Sequence, residues 1–372
     1  MRIGSIVSEC VRDIESGTTH AVAMMLAVLC SGLLLGGYEA VGVVGLETQA
    51  VTRINALADT RMIIASGDLI DGTVCDRLPD AANGPDASGA LRAGDQVTPL
   101  STPGKDIASY EVTPGLLRIL AAGDRQANAS STPVSDTVDA SGIWVSTDLA
   151  DDFGLTVGSR LATDHGGATV AGVFAWPNDG RDTRLAYALV VPVSASAAPF
   201  GECWARQWPA SGQTDNLLYS TVIVSGESTG GQAGVMAVNK GFDSHYDAHD
   251  SYTSRMTRWM PCAGLAAGLL IGVVGVRRRR LEYAGALHCG QSKGAQLLGI
   301  GLETLTWSGL GTISACSLIA AYCWRMAAGD PVAILLSAIR APLALFAASM
   351  LAAVLAGLFV RESQLFRYFK TR

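Results

Sequence analysis

Charge is scarce in this chain. Asp, Glu, Lys and Arg make up 16% of its 372 residues, against about 25% in an ordinary soluble domain, and the mean hydropathy is +0.30. A chain that is part lipid-embedded and part soluble shows this balance. Catalytic signatures are missing too. There is no Gly-x-x-x-x-Gly-Lys-Ser/Thr phosphate loop, no Gly-x-Ser-x-Gly elbow and no self-similar repeat, so nothing indicates that the chain hydrolyses nucleotide by itself. Of five histidines only His245 and His249 are close, and four residues apart they share a face if that stretch is helical. Asp243, Asp247 and Asp250 lie nearby, but Asp247 falls off that face and no third ligand is evident, so a solvated polar surface explains them better than a metal site.

What the chain has in abundance is long apolar runs. Residues 21–46, 259–276, 295–324 and 341–360 can each cross a bilayer core of roughly 30 Å at about 1.5 Å per helical residue. The leader before the first run carries Glu9, Asp13 and Glu15, and no small-residue cleavage site follows it, so a retained span is expected rather than a cleaved signal. Ile3, Ile6, Val7, Cys10, Val11 and Ile14 recur at helical spacing and predict an interfacial helix ahead of the span. Acidic residues dominate between Glu47 and Asp250, whereas Arg277–Arg280, Lys293, Arg361, Arg367, Lys370 and Arg372 flank the other spans. By the positive-inside rule those flanks and both termini are cytoplasmic, and the acidic domain is outside.

The fold class that follows is an α-helical membrane protein with four transmembrane helices and an α+β extracytoplasmic domain inserted between helices 1 and 2. The expected divisions are 1–18 (interfacial helix), 19–46, 47–258 (outer domain with stalks), 259–276, 277–293 (cytoplasmic connection), 294–324, 325–340 (outer loop), 341–360 and 361–372 (tail). Within the outer domain, residues 47–58 predict a helical stalk, 61–66 a strand, 143–146 a strand, 148–153 a helix stopped by Gly154, and 155–161 a segment entering another strand. Residues 168–175, 185–193 and 219–224 predict further strands, and 234–258 a mostly helical return stalk ending at Trp259, an interfacial aromatic anchor. Eight cysteines divide by compartment, and only Cys75 and Cys203 fall in the outer domain, where an oxidising environment favours one disulfide over two buried free thiols.

Around the connection between the second and third spans, Arg280-Leu281-Glu282, Gly290 eight residues after the Glu and Glu303 thirteen after the Gly resemble the spacing in the FtsX-like permease family of ABC transporters. Leu287 stands where that family often has an Arg. Outside, Val145-Ser146, Leu149-Ala150, Phe153-Gly154-Leu155, Val157-Gly158, Gly167, Val170, Gly172 and Val173 look like a MacB-like periplasmic core domain, as does the run from Tyr110 to Leu117. The resemblance spans the apolar runs and much of the outer domain, but not residues 67–105 or 180–230.

This resemblance implies a non-catalytic permease subunit that binds no cofactor itself. ATP and Mg would belong to a separate ABC ATPase, expected in two copies, and a second permease, identical or homologous, would complete the assembly. The other expected contact is membrane lipid; no nucleic acid is implied. Arg280, Glu282, Gly290 and Lys293 are the candidate ATPase-coupling residues in and around a short helix over about 281–289, and Glu303 a structural intramembrane residue that a basic side chain can reach. Export or extraction of an amphiphile is the expected function, with regulation of a cell-wall hydrolase the alternative. Glu39 beside Tyr38 reads as an outer-interface marker, and Gly36, Gly37, Gly309, Gly311, Ser314 and Ala315 permit close helix approach, either within the chain or between subunits.

Overall fold

A computed structural model describes residues 3–123, 138–223, 233–244 and 246–364. The chain divides into two compact units, Met1–Thr48 with Asp250–Arg372, and Gln49–His249.

The first unit is helical. Its elements are α1 (Ile3–Glu15), the start of α2 (Ala21–Asn55), α8 (Met260–Arg278), α9 (Arg280–His288), α10 (Lys293–Met326), α11 (Pro331–Ala338) and α12 (Arg340–Phe359). Four stretches, Ala21–Asn55, Ala248–Arg278, Lys293–Met326 and Pro331–Phe359, are long and apolar enough to cross a membrane. The segment 325–340, expected as a loop, contains α11, because Asp330 caps its start by accepting from Val332 N at 2.9 Å and Pro331 occupies the first turn.

Small residues set the helix packing. On α8, Gly264, Gly268 and Gly272 recur every fourth position, and a Cβ on any of them would lie under 3.0 Å from the carbonyl of Ala341, Leu345 or Ser349. The two helices therefore run parallel in near backbone contact, as small-xxx-small seams permit. Along α2, Gly32 meets Ala315 and Gly36 meets Ile319, while Gly311 of α10 meets Met25 and Val28. Gly36, Gly311 and Ala315 thus serve internal packing, whereas nothing lies against Gly37 or Gly309, and Ser314 is exposed.

The second unit is built on one mixed sheet. Its strands are β1 (Thr60–Ala65), β2 (Ala87–Ala93), β3 (Ala108–Val112), β4 (Ile143–Ser146), β5 (Arg160–Thr163), β6 (Gly166–Phe174), β7 (Ala188–Pro192), β8 (Glu202–Arg206) and β9 (Ala233–Ala237). They lie in the order β5-β6-β4-β7-β3-β2-β8-β1-β9. The pairs β3/β7 and β4/β6 are parallel and the others antiparallel. Helices α3 (Gly72–Asp76), α4 (Pro114–Gly123), α5 (Thr147–Phe153) and α6 (Gly212–Tyr219) complete it, and α7 (Ala248–Thr253) straddles the boundary between the units.

Period-two alternation divides the core. Met62 and Trp204 face one side with Leu116, Leu117 and Leu120 of α4; Ile63, Cys203 and Ala205 face the other with Phe200 and Leu218. A third cluster, with Val145, Leu149, Leu161 and Val170, fills the far half of the sheet. Packing of α4 against β2 requires glycine at two facing positions, since a Cβ on Gly89 would collide with the backbone of Leu116 and one on Gly115 with Ser88 O. Cys75 of α3 and Cys203 of β8 form a disulfide with Cα atoms 6.0 Å apart.

Two expectations are corrected. Residues up to Tyr219 belong to α6, not a strand: Ser211 accepts from Gln213 N at 3.2 Å to start the helix, and beyond it Val222 makes only an isolated bridge to Ile70, with residue 224 outside the described residues. The return segment is not mostly helical either. Its first part is β9, drawn into extended form by the free edge of β1, where pairing outweighs weak local preference.

Candidate functional site

The short helix α9 is delimited at both ends by its own residues. Arg279, between α8 and α9, breaks the helix with φ −102° and ψ 9°. At the other end Gly290 adopts φ +91°. Its N–H donates to Leu287 O at 3.0 Å, and Gln291 N donates to Ala286 O at 3.1 Å. This is a Schellman stop, which a side chain at Gly290 would strain. Ser292 then caps α10 by accepting from Ala295 N at 3.3 Å.

Arg279 is buried and is the centre of the site. Its Nε donates to Glu282 Oε2 at 2.6 Å and its Nη2 to Asp13 Oδ2 at 2.7 Å, while Nη1 donates to Glu303 Oε2 and to Tyr283 OH at 3.3 Å. The Tyr283 hydroxyl donates in turn to Glu303 Oε2 at 3.1 Å. Burial, then the negative charge of Glu303, raise the Tyr283 pKa, so the phenol stays protonated and remains a donor. One guanidinium therefore ties α1, α9 and α10 together. Breaking such a buried pair by removing one partner typically costs about 3–5 kcal/mol, because the other charge is left unpaired.

Of the residues singled out in the sequence, Glu282 and Glu303 meet on Arg279, and Gly290 shapes the stop. Arg280 is half-buried. Lys293 points inward: its Nζ donates to Gln296 Oε1 at 2.9 Å and to the carbonyls of Gly357 and Val360 at 2.8 and 2.5 Å. All three ammonium donors are thus used, two of them capping the C-terminus of α12 and one held by Gln296 of α10. Arg279, Asp13 and Tyr283 were not anticipated. The i,i+3 spacing of Arg279 and Glu282 was visible; the approach of Asp13 across 266 residues was not. On α1, Ile6 and Cys10 are buried while Val7 and Val11 are exposed, so the apolar face is only partly covered.

Beside this cluster lies a cleft of about 330 Å³ lined by Glu9, Asp13, Glu282, Gln291, Gln296 and Glu303, with Arg279 the one guanidinium among the described residues that line it. Gln296 is 2% exposed, and its Nε2 has no acceptor among the described residues. The cleft is acidic and offers an unused amide donor.

At the opposite end of the first unit, Glu39 is 3% exposed and accepts from Arg255 Nη2 at 2.8 Å and Nε at 3.0 Å. It is a buried ion-pair partner and not simply an interface marker. Glu47 receives the backbone N–H groups of Ala328 and Gly329 at 3.0 and 2.9 Å.

Within the second unit, the C-terminus of α2 is clamped. Arg206 Nη2 donates to Ile54 O at 3.4 Å, Arg181 Nη2 to Asn55 O at 3.0 Å, and Asn239 Nδ2 to Ala56 O at 2.8 Å. Asp59 holds Arg206 at 2.8 Å, and Asp179 holds Arg181 at 2.9 Å. Burial pushes the Asp59 carboxyl upward, opposed by Arg206. Leu57 completes the clamp with φ +54°, a left-handed conformation unfavourable by roughly 1–2 kcal/mol for a side-chain-bearing residue. Its fully buried side chain, packed into the core with Met62 and Trp204, offsets that strain.

Of the pair His245 and His249, His245 lies outside the described residues. Among the described residues no group of three or more His, Cys, Asp or Glu side chains is placed to hold a metal ion.

No family model matches the chain, and no curated protein matches it by sequence. Among solved structures, it is similar to the periplasmic region of MacB from Actinobacillus actinomycetemcomitans, at 10% identity and a TM-score of 0.34, covering 50% of this chain and 92% of that one. It is also similar to a domain assigned to a permease protein from Porphyromonas gingivalis, at 15% identity and a TM-score of 0.32, covering 50% and 94%. At these scores the architecture rests on the element order and register given above.

Proposed function

We infer that the chain is the membrane subunit of an ABC transporter, in which α9 receives a separate ATPase and α2 carries the resulting movement to the Gln49–His249 unit. The observation that carries this reading is the Arg279 cluster. A short helix is fixed to two other helices through one buried guanidinium, so a push on α9 is delivered to α1 and α10 instead of being absorbed in a loop. The Arg280, Glu282, Gly290 and Glu303 spacing supports the same reading. The adjoining acidic cleft, with the unused Gln296 amide, suits a cationic side chain and a backbone carbonyl of the partner.

Two independent arguments support one orientation. A disulfide suits an oxidising compartment, which favours the unit holding Cys75–Cys203 outside, and the arginine run favours α9 inside. At the outer end, Arg181, Arg206 and Asn239 hold the carbonyls of Asn55, Ile54 and Ala56 where α2 finishes, which supports reading that helix as the rod that carries the stroke. ATP and Mg belong to the ATPase, expected in two copies, with a second permease, identical or related. Export or extraction of an amphiphile at the outer leaflet is the work such a rod performs without a path between the helices.

The test is to purify the chain with its candidate ATPase in lipid discs and measure hydrolysis. Glu282→Ala, which removes one Arg279 partner, and Gly290→Pro, which is incompatible with φ +91°, should each weaken assembly or hydrolysis. Failure of any ATPase to bind would end the transporter reading, and capture of a cell-wall hydrolase by the outer unit would replace export with regulation.

A further inference from the structure

A second and larger opening lies between α8 and α12, a groove of about 820 Å³ at the end where both helices finish. Its wall is apolar. Leu269, Val273, Leu355 and Phe359 line it, and Phe359 is 74% exposed although it sits in a helix of apolar composition. Three cations line the same groove: Arg277, Arg280 and Arg361. They converge because the glycine seam makes α8 and α12 parallel, so Arg277 at the end of one helix comes beside Arg361 just after the other.

Two helix C-termini would ordinarily bring partial negative charge to this place. At α12 that charge is offset by Lys293, whose ammonium holds the carbonyls of Gly357 and Val360. The adjacent acid, Glu362, is engaged by His288 Nδ1 at 2.8 Å. The mouth is therefore cationic and continuous with an apolar wall. A free phosphate would use only the first, and an apolar segment only the second. A second copy meeting this face about a two-fold axis would bring its own three arginines against these, a like-charge contact.

We propose that the groove between α8 and α12 binds an anionic phospholipid, its headgroup phosphate on Arg277 and Arg361 and an acyl chain along Leu269, Val273, Leu355 and Phe359. The volume lies within the roughly 300–1,000 Å³ of small-molecule sites. The assignment rests on the reading that these helices stand in a bilayer, and not on an ATPase partner.

The experiment is native mass spectrometry of the full chain released from vesicles of phosphatidylglycerol and phosphatidylcholine, with thermal unfolding as the check on folding. Wild type should retain phosphatidylglycerol in preference to phosphatidylcholine, and added inorganic phosphate should not displace it. Arg277→Gln with Arg361→Gln should weaken retention about 30-fold, the effect of two cations near an anionic lipid surface. Val273→Trp, which fills the groove without changing charge, should also lose the lipid. Arg278→Gln, from the same run but outside the groove lining, should change retention less than about 3-fold, well under one surface cation's share. Equal retention of both lipids overturns the proposal, as does an Arg278→Gln loss as large as the double variant's, which would mean diffuse surface charge. Dissociation of a dimer in the double variant with lipid retention unchanged would assign the groove to a second copy.

Discussion

Replacing Cys75 and Cys203 together by alanine opens a loop of 128 residues in the unfolded chain. The chain-entropy relation gives about 5 kcal/mol at 25 °C for a loop of that length, and measured losses of native bridges run about 2–5 kcal/mol. Both side chains are fully buried, and alanine leaves small voids without stranding a polar group. The unit that unfolds, Gln49–His249, has about 200 residues, for which each kcal/mol moves the midpoint by roughly 2–4 °C. The variant should therefore melt roughly 5–15 °C below wild type. Trp144, Trp176 and Trp204 are buried in the affected core, so tryptophan fluorescence of the full chain follows the transition. Thiol counting in denaturant should find the six free cysteines without reductant and all eight with it. A melting shift under about 2 °C, or eight thiols without reductant, would refute the reasoning.

The other predictions address the helical unit and one cap. Gly268→Ala should separate α8 from α12 and destabilise the helical unit by about 1–3 kcal/mol, because the added Cβ meets the Leu345 carbonyl, whereas Gly285→Ala, with nothing within 4 Å, should be neutral or slightly stabilising; unfolding in detergent compares them. Arg279→Met should cost about 3–5 kcal/mol, and Arg279→Met with Glu303→Leu distinctly less than the sum of the single changes, since the double variant strands no charge between them. Asp71 caps α3, and hydrogen bonding from Thr73 holds its carboxyl below the usual range. Its contribution is thus present above about pH 4, the unfolded value, and is lost as pH falls through the lower folded value. Asp71→Ala should cost about 1 kcal/mol at pH 7, and urea titrations should show that gap closing in acid.

Much of the framework was legible because it depends on local pattern. The four apolar runs, the strand at Ile143–Ser146, the helix ended by Gly154 and the continuation of the first helix beyond residue 46 all follow from periodicity and stop signals. The strand at Ala233–Ala237 did not, because it exists through pairing with β1, some 170 residues earlier, and the local sequence carries helix formers as readily as strand formers. The glycine seam of α8 was written at four-residue spacing, but its partner was not. In the candidate site, spacing pointed to Glu282, Gly290 and Glu303, yet the residue that joins the two acids is Arg279, one place before the Arg280 of the motif. Charge runs conceal which member turns inward; only the helix break at Arg279 decides it.

The central claim is that α9 is where an ATPase docks. Cys289, at its C-cap, is exposed, and so is Cys262 near the start of α8. With the other free cysteines replaced, a photo-crosslinker on Cys289 should capture the candidate ATPase, and the same reagent on Cys262 should not. Capture from Cys262 alone, or equally from both positions, would contradict the account.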